Sequence, residues 1–167
     1  MSPGTTGPRT TGPGTTGKER VPAVAGWFPM DTAEPHLLGS RCRACGSFFF
    51  PKESLSCRNP GCSGIELEEM PLSRRGKVWS FTVNCYAPPA PYVAADPFTP
   101  YAIAAVELAA EKMVVLGQVV PGVDLARLRV GAEMELVLDT LFEDDEHEYV
   151  VWKWDLAEPV SDKRGAR

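Results

Sequence analysis

Residues Arg41 to Cys62 read RCRACGSFFFPKESLSCRNPGC, and the fold of the N-terminal half turns on them. Cys42 and Cys45 are two residues apart; Cys57 and Cys62 are four apart. Each pair fits on a tight turn, so its thiolates converge from one side, and two such turns facing each other close a tetrahedral four-thiolate shell. Gly46 supplies permissive backbone after the first pair, and Asn59-Pro60-Gly61 supplies turn chemistry in the second. A redox CxxC is the rival for the first pair, but it leaves the second unexplained. The spacing therefore predicts a structural Zn²⁺, one per chain, held by Cys42, Cys45, Cys57 and Cys62 in a rubredoxin-like zinc ribbon over residues 41–72. A complete thiolate shell leaves no open position, so this metal is not catalytic. Its excess negative charge is offset in this reading by Arg41, Arg43 and Arg58. A ribbon this small does not fold without its metal, whereas the module after it keeps a core of its own.

C-terminal to the ribbon the periodicity becomes that of strands. From Arg74 to Tyr86, Trp79, Phe81, Val83 and Cys85 alternate with Ser80, Thr82 and Asn84, which reads as a half-buried strand. Tyr101–Leu108 and Met113–Val120 read as a hairpin, Asp124–Leu128 as one helical turn capped by Asp124, and Glu133–Leu141 as a fourth strand. Tyr149–Leu156 is the fifth, with Val150, Trp152, Trp154 and Leu156 on its apolar face. Five strands with a helical insert after the third predict a mainly β chain: an N-terminal ribbon, then a five-stranded OB-fold barrel over 73–158.

On the N-terminal side, fourteen of the first twenty residues are Thr, Gly or Pro, in the repeats PGTTG, PRTTG and PGTTG. Nothing there can bury a core, so residues 1–20 read as a disordered tail. Residues 21–40 form a sparse apolar arm with Trp27, Phe28, Leu37 and Leu38, and 159–167 read as a C-terminal tail.

Charge separates the modules. The whole chain carries −5, residues 41–77 carry +3, and residues 78–158 carry −10. An acidic barrel repels a phosphate backbone, which argues against nucleic acid as a partner. No apolar run reaches the roughly 18 residues of a membrane span, and no secretory signal is seen, so the expected location is cytoplasmic.

Catalytic residues are expected to be absent. Cys85 as a nucleophile needs a base nearby, and its place among Trp79, Phe81 and Val83 reads as a buried apolar cysteine. His147 within Glu143–Glu148 reads as a solvated acidic turn. A partner surface is expected instead. Ala87–Pro100 has five prolines and one charge, and Pro88, Pro89, Tyr92, Val93 and Phe98 are the candidate interface residues. The central strands are apolar on both faces, so the ribbon, the arm or a partner must cover one of them.

Taken together, CRACG, Phe48–Pro51, the second cysteine pair, Arg75-Gly-Lys-Val-Trp-Ser-Phe-Thr82, Pro100–Leu108, Val115-Leu-Gly-Gln118 and Val130-Gly131 resemble one family. It is domain-of-unknown-function family 35, acyl-CoA-associated accessory proteins with a zinc ribbon and an OB-fold. The resemblance covers about Trp27 to Leu156, although the family's usual N-terminal helical hairpin is shortened here. It implies a non-catalytic accessory subunit in a hetero-oligomer with a thiolase-superfamily protein, either an acyl-CoA thiolase or a lipid-transfer-type retro-aldolase. Such a complex works in lipid, steroid or aromatic-acid breakdown. The resemblance also implies that acyl-CoA, as the partner's substrate, passes the partner interface. The alternative is a single-stranded nucleic-acid-binding zinc-ribbon/OB protein, with Trp79, Phe81, Trp152 and Trp154 stacking on bases.

Overall fold

The computed structural model describes residues 17–94 and 96–157. The Thr/Gly/Pro repeats and the C-terminal tail fall outside that span.

Three short strands build the ribbon. They are β2 (Leu38–Cys42), β3 (Phe48–Phe49) and β4 (Leu67–Pro71), antiparallel in the order β3-β2-β4. Before them β1 (Glu19–Pro22) lies at the boundary between the expected tail and arm, and it is paired rather than loose. It runs parallel to the last strand, with Glu19 opposite His147 and Pro22 opposite Val150.

Five longer strands follow: β5 (Arg75–Asn84), β6 (Tyr101–Leu108), β7 (Met113–Val119), β8 (Glu133–Glu143) and β9 (His147–Leu156). Hydrogen bonding runs β5-β6-β7-β9-β8 and returns to β5, so the sheet closes into a barrel. Within the barrel all pairs are antiparallel except β7 with β9, where Gln118 faces Lys153 and Val119 faces Trp154. This closed five-strand order is that of an OB-fold. One turn at Asp124–Leu128 joins β7 to β8. The Arg127 N–H donates to the Asp124 carbonyl at 2.9 Å, Asp124 Oδ1 accepts the Ala126 N–H at 3.0 Å, and Leu128 is buried.

The core holds Val78, Ala104, Val106, Leu108, Met134, Leu136, Val150 and Trp154. Trp154 fits because residue 117 is glycine: a Cβ there would stand 2.8 Å from the indole Cδ1. Phe28, Leu37 and Leu72 belong to the same apolar cluster, so arm, ribbon and barrel share one core. Trp27, Phe28 and Phe50 surround Trp152, with ring centroids 5.2–6.2 Å apart, and the Trp152 indole N–H donates to the Leu116 carbonyl. Arm and ribbon thus cover part of the barrel wall, but Val114 and Leu116 remain exposed.

β5 departs from expectation. Val78 is buried, but Trp79 is 62% exposed, Phe81 40% and Val83 37%, and Cys85 is exposed too. The register slips between Val78 and Ser80, which is a bulge. β8 pairs only with Arg75, Gly76 and Lys77. Beyond Val78 the strand therefore has β6 on one side, and among the described residues its apolar alternation stays largely exposed, only Val83 reaching the cavity beside the Ala87–Pro100 loop.

Candidate functional site

Cys42 ends β2 and is buried, while Cys45 lies in the turn after it. The Gly46 N–H donates to the Cys42 carbonyl at 2.8 Å, and Gly46 holds φ 77°, a left-handed value that suits glycine. The second turn brings the Cys62 N–H to the Asn59 carbonyl at 2.9 Å. Backbone N–H groups of Asn59 and Gly64 point at Cys57 and Cys62 Sγ from 3.4 and 3.3 Å. The four Sγ atoms all lie within 4.8 Å of one another, with Cys42–Cys62 at 3.9 Å and Cys45–Cys57 at 3.6 Å. A tetrahedral zinc with Zn–S bonds of about 2.3 Å needs sulfurs about 3.8 Å apart, so the donor set fits the ion.

The electrostatics call for a cation. Ser47 hydrogen bonds lower the Cys45 thiol to about 6, whereas burial first, with the neighbouring sulfurs adding to it, pushes Cys57 up to about 12. Cys62 is raised as well, its burial and the thiols of Cys45 and Cys42 outweighing the N–H of Gly64. Cys57 and Cys62 thus resist ionisation on their own, and a dication among the sulfurs would make their thiolates tenable. The nearby arginines contribute less than expected. Arg43 pairs with Glu68 at 3.0 Å and Arg58 with Glu53 at 2.6 Å, while Arg41 lies over the Phe48 ring. Two of the three charges are thus spent on carboxylates.

The candidate interface loop folds back on the barrel. Tyr92 stacks on Tyr101 at 6.0 Å, Phe98 meets Tyr101 edge-on at 6.2 Å, and Tyr92 Oη accepts from Gln118 Nε2 at 3.2 Å. Pro88 is half-buried, Pro89 exposed, and Val93 51% exposed. A cavity of about 580 Å³ lies between this loop and the barrel, lined by Tyr92, Phe98, Tyr101, Leu125, Phe142 and Lys153. Lys153 is buried, and Nζ donates to Asp139 Oδ2 at 2.8 Å and to the Thr140 carbonyl at 2.6 Å. Nothing in the sequence singled out Lys153; its position between Trp152 and Trp154 is the signal that could have done so.

Cys85 is not the buried cysteine expected. Its thiol is exposed and meets only the Val83 carbonyl, at 3.7 Å. His147 lies 3.6 Å from Asp144 and 4.0 Å from Glu19. Asp144 is occupied by its own turn, accepting the N–H groups of His147 and Glu146, and these hold its carboxyl below the usual range. Among the described residues, the four thiols are the one group placed to hold a metal.

Residues 31–68 match the family model of the ChsH2 rubredoxin-like zinc ribbon domain, and residues 69–139 that of the ChsH2 C-terminal OB-fold domain. The benzoylsuccinyl-CoA thiolase subunit BbsA of Thauera aromatica is 52% identical over 56 residues, which are 34% of this chain and 37% of that protein. The chain thus spans about a third of that relative's length. A DUF35 domain-containing scaffold protein of Methanocaldococcus jannaschii is 33% identical over 110 residues, 65% of this chain and 71% of the relative. Its counterpart in Methanothermobacter thermautotrophicus is 33% identical over 113 residues, covering 66% and 77%. Among solved structures, the Ltp2-ChsH2(DUF35) aldolase shares the fold, with a TM-score of 0.54 and 24% identity over 72% of this chain and 84% of that one. Two modules matched in order, and scaffold-protein relatives matched over most of their length, make this chain a member of the DUF35 family of zinc-ribbon and OB-fold proteins.

Proposed function

We propose that this protein is a non-catalytic accessory subunit of a thiolase-superfamily enzyme, supporting its acyl-CoA chemistry in lipid, steroid or aromatic-acid breakdown in the cytoplasm. The observation that carries the reading is the 52% identity, over 56 residues, to a thiolase subunit. The site chemistry agrees with it. The thiol cluster is a closed shell, and Cys85, the remaining cysteine, has a backbone carbonyl beside it rather than a base. In this reading the nucleophile and the acid–base groups belong to the partner, and acyl-CoA reaches it along the loop Ala87–Pro100. Pro88, Pro89, Val93 and the outer edges of Tyr92 and Phe98 then face the partner. Among the described residues no helix is long and apolar enough to cross a membrane.

The test is co-expression with a thiolase-fold subunit, followed by size-exclusion chromatography and an acyl-CoA cleavage assay. One complex, active only when both chains are present, is expected. Turnover by this chain alone, or separate elution of the two chains, overturns the reading.

One observation favours the alternative of nucleic-acid binding. Trp79 and Phe81 face solvent rather than the core, so two of its four candidate stacking residues are available. Against it stand the burial of Trp154, the enclosure of Trp152 and the −10 charge over residues 78–158. Salt-dependent binding of a single-stranded oligonucleotide by the purified chain is the result that would favour it.

A further inference from the structure

The outer half of β5 is an unfinished strand. From Trp79 to Val83 five consecutive residues are exposed, with Val83 at the rim of the cavity beside the Ala87–Pro100 loop. One edge pairs with β6, Ser80 opposite Ala105 through Asn84 opposite Tyr101. Among the described residues the other edge has a partner only as far as Val78. There the Val78 N–H donates to the Ala132 carbonyl and its carbonyl accepts from the Gly131 N–H, at 2.9 and 2.8 Å. Past that point the backbone offers donors and acceptors with none opposite. Exposed edges of this kind are normally blunted by charge, proline or a cover. Residues 79–84, WSFTVN, have neither charge nor proline, and they include aromatic and β-branched residues suited to a strand.

We propose that β5 is a docking edge completed by an extended segment of the partner subunit, adding as a seventh strand of the sheet beside Trp79–Asn84. This rests on the accessory-subunit reading and gives it an interface. Charge selects the occupant. The barrel is strongly acidic, with four cations in residues 78–158, but two of them, Arg127 and Arg129, sit on the connection running to Gly131 beside Val78. Lys77 lies at the inner end of the bare edge. None of the three makes an ion pair within 4.0 Å among the described residues. A second copy of this chain would set these cations against each other and one acidic barrel against another. The fitting strand instead alternates apolar side chains and carries a carboxylate at the end beside Lys77, Arg127 and Arg129, where Lys77 already lies across from Glu107 and Glu133. Backbone hydrogen bonds then supply affinity, and Trp79 and Phe81 supply anchors.

Two titrations test this, both on the full zinc-loaded chain. In the first, a fluorescein-labelled peptide alternating valine and threonine, with glutamate at each end, is followed by anisotropy. Saturable binding is expected. It should be weakened at least roughly tenfold when alternate amides are N-methylated, when the end residues are lysine, or when the protein carries Phe81→Asp or Trp79→Asp. Both residues face solvent, and zinc content and thermal unfolding identify a variant that has misfolded. No binding, or binding indifferent to N-methylation and to both substitutions, overturns the proposal. In the second, the two variants are co-expressed with the thiolase-fold subunit. Loss of assembly supports the docking edge. Normal assembly of both variants overturns it while leaving the accessory role standing, whereas failure of the unaltered chain to assemble counts against the accessory role itself.

Discussion

Lys153 places a charged group where water hardly reaches, with 5% of its side chain exposed, and Asp139 and the Thr140 carbonyl answer it. The two ends of the pair differ, because the Asp139 side chain is 38% exposed. Removing the carboxylate strands a buried ammonium, whereas removing the ammonium leaves a carboxylate that water can still reach. Asp139→Asn should therefore cost more than Lys153→Met, on the order of 1–3 kcal/mol for the former after discounting for the exposure of Asp139. Urea unfolding of both variants checks the ranking. Cys85 gives the opposite case. Its thiol is exposed, so Cys85→Ala should leave stability within about 0.5 kcal/mol and leave assembly and partner activity unchanged. A loss of turnover with the fold intact would instead promote it to a chemical role.

At the scale of elements, β9 and β5 carry similar apolar alternations and meet different ends. In β9 the alternation reported burial correctly: Val150 and Trp154 are fully buried, and Trp152 is enclosed by aromatic rings from arm and ribbon. In β5 only Val78 is buried. Period-two patterning says which residues share a face; it does not say whether anything packs on that face, and that depends on how far β8 follows β5. The cysteine turns were legible because their geometry is local, set within a few residues by Gly46 and Asn59-Pro60-Gly61. The proline-rich loop was half legible: its stiffness is written in composition, but its attachment to Tyr101 depends on a contact across the fold. Truncating Tyr92 and Phe98 to Ala should consequently release the loop. The expected cost is about 1–3 kcal/mol for two aromatic contacts, with zinc content unchanged and assembly weakened. Thermal melts and metal analysis separate those effects, and normal assembly would restrict the loop to a connecting role.

In the whole molecule, ribbon and barrel are not separable in the way their charges suggest. Leu37 and Leu72 flank the ribbon strands yet are buried with Val78 and Trp154 in one cluster. The linker is also fixed: Ser73 donates from N and Oγ to the buried Glu111, at 2.7 and 2.9 Å, and Arg74 reaches both Glu34 and Glu135. A barrel indifferent to the metal, which the sequence suggests, is therefore not what this packing favours. Stripping zinc with a chelator, or weakening the shell with Cys62→Ser, should lower the melting temperature of the barrel as well as the ribbon. Near-ultraviolet circular dichroism from the buried Trp154 reports on the barrel, and metal analysis should return about one zinc per unaltered chain. An unchanged tryptophan signal after zinc loss would show that the barrel stands alone.

The edge of β9 is shared end to end, β7 taking Lys153 and Trp154 while β1 takes His147 to Val150. This sets where the chain can be shortened. Proteolysis or deletion that stops at residue 16 leaves β1 whole, together with the pairs Lys18–Glu143 and Arg20–Glu148. Removing six residues more strips the cover from a strand containing Tyr149 and Val150, and the truncated protein should sediment as aggregates at concentrations where the shorter deletion remains monodisperse. The four residues of β1 should thus decide whether the acidic hairpin stays a surface or becomes a template for clumping.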